Sequence, residues 1–142
     1  MHNGNDITLR LVIVDDSGEN AEAIVSALRN GGIAVRPSRP QDAQELGQVL
    51  GAQPIDLVLA AGSQAIPLSA VAQQIAASGK DVPVILLVDR IEEDTLVEAS
   101  ASGIRALALR QRPGHLLAVV RDQWVDLQAR RGLRRIEAQM RE

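Results

Sequence analysis

Apolar runs and helix-spaced apolar stripes alternate along this chain. Leu9 to Val14 is almost continuously apolar, the pattern of a strand buried on both faces of a sheet. Ser17 is placed to cap the following helix, with Asn20 where a full capping box carries Glu or Gln. Ala21, Ile24, Val25 and Leu28 recur at helical spacing, and Gly31-Gly32 ends that stretch. Ile33 to Arg36 reads as a short strand. Pro40 at a first helical position opens a helix with Ala43, Leu46, Val49 and Leu50 on one face. Pro54 and Asp56 introduce a strand over Leu57 to Ala60. Beyond the Gly62-Ser63 loop, Pro67 starts a helix bearing Leu68, Val71 and Ile75, which stops at Gly79. Val82 to Val88 is the most apolar strand. Glu92 to Ser102 is a helix with acids at its start, where the dipole favours them. Ile104 to Leu109 is the fifth strand, and from Pro113 a long helix runs to the C-terminus.

This βα repetition predicts an α/β fold, a doubly wound parallel sheet with helices on both faces. Ligands of such sheets bind beyond the carboxyl ends of the strands. That rule places Asp15, Asp16, Ala61, Val88 and Arg110 at one mouth. The expected organisation is a flexible polar terminus (1–7), one domain (8–125) and a projecting helix (126–142) leading to a downstream domain.

Composition narrows the chemistry. Aromatics make up only 1% of the chain, so the core is aliphatic and Trp124 is the sole platform for base stacking. A net charge of −3 gives no general pull toward nucleic acid or anionic lipid, so neither is an expected partner. With no Cys, disulfides, thiolate catalysis and Cys-type zinc sites are excluded. No signal peptide opens the chain and no apolar run of about 18 residues occurs, so a cytoplasmic location is expected.

Asp15-Asp16 would repel a pyrophosphate, and no G-x-G-x-x-G, G-x-x-x-x-G-K-[ST] or G-x-S-x-G motif occurs. His2 and His115 lie far apart and suggest no metal pair. Two acids closing a buried strand ordinarily hold a divalent cation beside a third acid that reacts. Here the run Asp56-Leu57-Val58-Leu59-Ala60 ends in Ala61, where that third carboxylate would stand. No metal and no cofactor are therefore expected.

Over roughly residues 8–125 the chain resembles the receiver domains of response regulators, the CheY-like (flavodoxin-like) family. Leu11-Val12-Ile13-Val14-Asp15-Asp16-Ser17 is similar to the first strand and acidic pair of that family. Pro54-Ile55-Asp56-Leu57-Val58-Leu59 is similar to the lead-in to its phosphorylated aspartate, and Val82-Pro83-Val84-Ile85-Leu86-Leu87 to its fourth strand. The resemblance implies strand order 2-1-3-4-5. It also implies that the phosphoacceptor position holds Ala61, the Ser/Thr switch position Val88, the aromatic switch position Leu107 and the conserved Lys position Arg110, followed by Gln111 in place of Pro. An alanine methyl cannot form an acyl phosphate, and two acids alone make a poor magnesium site. The pattern is that of a pseudo-receiver without enzymatic activity. Asp15 and Asp16 are either solvated remnants or, for one of them, a partner of Arg110. A small-molecule sensor with Arg110 receiving an anion, and a metal-dependent phosphotransfer domain using Asp15 and Asp16, stay open as alternatives. Ser63 as a displaced acceptor lacks an evident base.

The last helix carries a second signal. Leu116, Leu117, Val119 and Val120 give a broad apolar face for docking on the sheet. Leu117, Val120, Trp124 and Leu127, spaced 3, 4, 3, read as a coiled-coil seam for a homodimer. Ala129, Leu133, Ile136 and Met140 continue in a shifted frame. The basic run Arg130 to Arg135 reads as solvated flanks, with Gly132 marking a bend. Ala60-Ala61 with the long outgoing helix resembles FimX-type regulators of twitching motility, whose receiver precedes PAS, degenerate GGDEF and EAL domains. That resemblance implies a dimeric relay module in cyclic di-GMP signalling, with pilus-motor or polar proteins as partners and no cyclic di-GMP site on this segment.

Overall fold

The computed structural model describes residues 8–104 and 106–140. The expected polar terminus (1–7), Arg105 and the last two residues lie outside the described residues, as do the side chains of residues 135 and 137–140.

Strands and helices alternate as β1 (Leu9–Asp15), α1 (Gly18–Asn30), β2 (Val35–Ser38), α2 (Ala43–Ala52), β3 (Leu57–Gly62), α3 (Leu68–Ser78), β4 (Val84–Val88), α4 (Glu93–Ala101), β5 (Ala106–Leu109) and α5 (Pro113–Met140). The strands form one parallel sheet in the order β2-β1-β3-β4-β5, as the resemblance implied.

The two-residue period of a strand divides the core. Leu9, Leu11 and Ile13 face α1 and α5, joining Ile24, Leu28, Leu116 and Val120. Val12 and Val14 face the other way, with Leu46 and Leu50 of α2 and Val71 of α3. A strand with both faces covered must be apolar throughout, which is why β1 reads as a run. The α4 side is thinly covered: Ala99 is its one buried residue, while Leu96 and Val97 are exposed.

Several elements start later than expected, β4 at Val84 and β5 at Ala106 among them, and for two the local cause is plain. The second strand begins at Val35, not Ile33, because α1 ends in a left-handed turn at Gly32 (φ 92°). There the Ile33 N–H closes on the Leu28 carbonyl at 3.0 Å and is lost to the sheet. The second helix begins at Ala43, not Pro40, because Asp42 caps it, accepting from Glu45 N–H at 2.8 Å. Ser17 caps α1 as its sequence suggested, accepting from Asn20 N–H at 3.2 Å.

Candidate functional site: a closed mouth and a clamped helix

Order 2-1-3-4-5 makes the chain leave β1 toward opposite sides, so the crevice of such a sheet opens above β1 and β3. Between Val14 and Asp15 the β1–β3 register slips, and Asp15 aligns with Gly62. Asp15 is buried; Oδ1 accepts from Ser17 N–H at 2.8 Å, and Oδ2 has no hydrogen-bond partner. The nearest cation to Oδ2 is Arg110 Nη1, 3.8 Å away. Arg110 Nε donates to Asp89 Oδ1 at 2.9 Å, and its Nη2 donates to the carbonyl of Ala61. Each guanidinium nitrogen thus faces a protein oxygen at the mouth. Of the two acids, Asp15 is the one that pairs with Arg110.

Asp16 turns toward the β3–α3 loop. Its Oδ1 accepts from Ser63 Oγ at 2.7 Å and its Oδ2 from Gln64 N–H at 2.8 Å. The Gln64 amide first, then the Ser63 hydroxyl, then the Arg39 charge hold its carboxyl below the ordinary value of 3.8. Ser63 therefore does have a carboxylate beside it, contrary to expectation. That carboxylate is weakened as a base by its lowered pKa, and Ser63 Oγ also accepts from Ile66 N–H at 2.9 Å. These contacts fix the loop.

Arg39 escaped the sequence reading. Its Nε and Nη2 donate to the carbonyls of Asp15 (3.0 Å) and Asp16 (3.1 Å), holding the end of β1 from the β2 side. Val88 enters only through its carbonyl, which accepts from Arg110 N–H at 2.8 Å. Among the described residues no group of three His, Asp or Glu is placed to hold a metal ion. None of the described helices is long and apolar enough to cross a membrane.

The stripe expected to be a dimer seam is the docking face of α5. Val120 and Leu127 are fully buried in their own chain, and Leu117 and Trp124 pack against the same core. The shifted frame is the outward one: Leu133 (56%) and Ile136 (54%) are exposed, as is Val125. At about 100° per residue the two stripes occupy roughly opposite sides of the helix.

Nor are Arg130, Arg131 and Arg134 of the basic run solvated flanks. Arg131 Nη1 donates to Asp56 Oδ1 at 2.7 Å, while Asp56 Oδ2 accepts from Arg10 N–H at 2.8 Å. Arg130 Nε and Arg134 Nη2 both reach Asp81 Oδ2, at 2.9 and 2.8 Å. Asp56 and Asp81 precede β3 and β4, at the base of the sheet. The helix expected to project from residue 126 is held to the domain as far as Arg134, and it runs unbroken through Gly132.

No protein-family model matches the sequence, and no curated relative does. Solved structures do match in fold. The signal receiver domain of an HD domain-containing protein from Pseudomonas fluorescens aligns with TM-score 0.71 at 17% identity, covering 87% of this chain and 99% of that one. A CheY-like response regulator receiver domain from Methanospirillum hungatei aligns with TM-score 0.69 at 15% identity, covering 87% and 99%. A Burkholderia pseudomallei protein described as pilus assembly-related aligns with TM-score 0.68 at 14% identity, covering 83% and 90%. With five parallel strands in the order 2-1-3-4-5 and these alignments, the chain has the fold of CheY-like response-regulator receiver domains.

Proposed function

We propose that this chain is a pseudo-receiver, a non-phosphorylatable and non-enzymatic module that works through protein contacts. The observation that carries this reading is Arg110 lying over Ala61, bonded to its carbonyl and to Asp89, where a receiver needs a carboxylate. No nucleophile stands at that position, and the mouth is occupied by the chain's own charges. Output then passes through α5, which is continuous from the mouth to the base of the sheet. Its outward stripe of Ala129, Leu133 and Ile136 follows the 4–3 spacing of helices that pair with their own kind, so the partner is a second copy of this chain.

The finer setting we propose is a longer FimX-type regulator in type IV pilus and cyclic di-GMP signalling, acting on pilus-motor or polar proteins. The pilus assembly-related protein of the same fold supports it. PAS, GGDEF and EAL patterns encoded beyond Glu142 are the expected finding; their absence there counts against this setting alone. The core reading is tested by incubating the protein with acetyl phosphate and magnesium and measuring its intact mass. No phosphorylated species is expected, and a stable acyl phosphate overturns the reading.

A further inference from the structure

The contacts that hold α5 change character along its length. As far as Leu127, which is fully buried, apolar side chains seat the helix on the sheet. Beyond it, Leu133 and Ile136 are more than half exposed, and the helix is attached through arginines.

Those arginines form two unequal contacts. The inner one joins Arg131 to Asp56, whose side chain is only 6% exposed and whose other oxygen is taken by Arg10 N–H. Arg131 Nη2 also donates to the Ile55 carbonyl at 3.2 Å. The outer one joins Asp81 to Arg130 and Arg134, with Arg134 60% exposed. Arg130 pairs as well with Asp126, one turn back on α5. A groove of ≈ 610 Å³ borders Asp81, Arg130 and Arg134, and one of ≈ 300 Å³ borders Asp81, Arg134 and also Arg131, so solvent ions reach Asp81 and Arg134 while the Asp56 carboxylate stays buried. Salt screens such a half-exposed pair far more than a buried one.

Gly132 stands between Arg131 and Arg134, with Arg130 on the Arg131 side of it. A methyl at its Cβ position would meet nothing within 4 Å, so no close approach requires glycine there. Its effect is to weaken the helix between Arg131 and Arg134.

We propose that these residues form an ionic latch in which Arg131–Asp56 is the pivot, Arg134–Asp81 is the releasable catch with Arg130 holding Asp81 from the pivot side, and Gly132 is the flexible point between pivot and catch. With the catch closed, α5 leaves the domain in one fixed direction. With it open, the segment after Gly132 swings from the base of the sheet while the domain and the pivot stay intact. The device rests on α5 being the output element, and it places control of that output at the base of the sheet, away from the mouth.

The absence of Cys permits a direct test on the full chain. Cysteines introduced at two exposed positions, Ala77→Cys and Ile136→Cys, carry spin labels, and the labelled protein is diluted with unlabelled protein. A single narrow distance distribution is expected at low salt. Asp81→Asn is expected to broaden it and lengthen its mean, whereas Asp122→Asn, on α5 but outside the latch, leaves it narrow. A distribution as narrow in Asp81→Asn as in the parent overturns the latch. Should Asp81→Asn lose its native circular dichroism, the parent protein is measured in about 1 M salt instead, where an unchanged distribution also overturns the latch. Phosphodonor labelling reads out independently of these distances, so the two proposals fail separately.

Discussion

Arg131 donates a 2.7 Å hydrogen bond to Asp56 from 75 residues further along the chain, joining the end of α5 to the entrance of β3. The Asp56 side chain is 6% exposed and Arg131 39%, so the carboxylate is the group that depends on the pair. Truncating the arginine leaves a buried anion with one backbone N–H. Arg131→Ala is expected to destabilise the domain by about 1.5–3 kcal/mol in urea unfolding, the range for hydrogen bonds to charged groups. Asp81→Asn, at a carboxylate 24% exposed with one partner, Arg134, 60% exposed, is expected to cost only about 0.2–1 kcal/mol. Equal losses would contradict the inner and outer ranking.

The two stripes of α5 give opposite outcomes on substitution. Trp124→Glu with Leu127→Glu places charge in a core where Leu127 has no exposure, so loss of the folded state is expected. Leu133→Glu with Ile136→Glu alters exposed positions, where changes usually stay within about 0.5 kcal/mol. The second pair should leave thermal unfolding unchanged and reduce the mass seen by light scattering from dimer to monomer. A parent protein that scatters as a monomer at high concentration would retire self-association.

The carboxyls of Asp81 and Asp16 are both held below their ordinary pKa. Hydrogen bonds from Arg130, then its charge and that of Arg134, lower Asp81 against its burial, and the Gln64 amide and Ser63 hydroxyl lower Asp16. A folded pKa below the unfolded one gives stability that is present above the unfolded value of about 3.9 and is lost as pH falls through the folded value. Stability should therefore hold near neutrality and decline below about pH 4. Carboxyl NMR titration should place both midpoints below 3.8. Ser63→Ala should raise the Asp16 midpoint without moving that of Asp81.

Much of this architecture is written locally. The apolar β1 run, the Ser17 cap and the stop at Gly31-Gly32 are short-range signals, and alternation along β1 assigns its residues to the two faces of the sheet. Asp15, Ala61 and Arg110 were legible as one mouth because strand ends in a parallel sheet converge. Arg39 was not, since it binds backbone carbonyls, which leave no mark in the sequence. Neither was the clamp, because a carboxylate and its guanidinium 75 residues apart carry no spacing rule. The seam of α5 was assigned to the wrong face for a related reason: a helix docking on a sheet and one pairing with a helix show the same 3–4 spacing. Burial, which only the fold supplies, separates them.

Restoring the missing acid alone should not restore a receiver. In Ala61→Asp the new carboxylate would arise beside the Arg110 guanidinium, already bonded to the carbonyl of that residue and 3.8 Å from Asp15. The cation would neutralise the acid before magnesium could use it, and magnesium surrenders its waters reluctantly. Asp16 would stay turned away, since Ser63 and Gln64 satisfy its two oxygens. Amide shifts in a magnesium titration are therefore expected to stay flat at millimolar metal for Ala61→Asp. Adding Arg110→Ala and Ser63→Ala removes the competing cation and one of the bonds on Asp16, and this triple variant is the one expected to respond near Asp15 and Asp16. A response of the single variant equal to that of the triple would mean that the guanidinium yields to the metal, and that the missing carboxylate alone limits magnesium binding at this mouth.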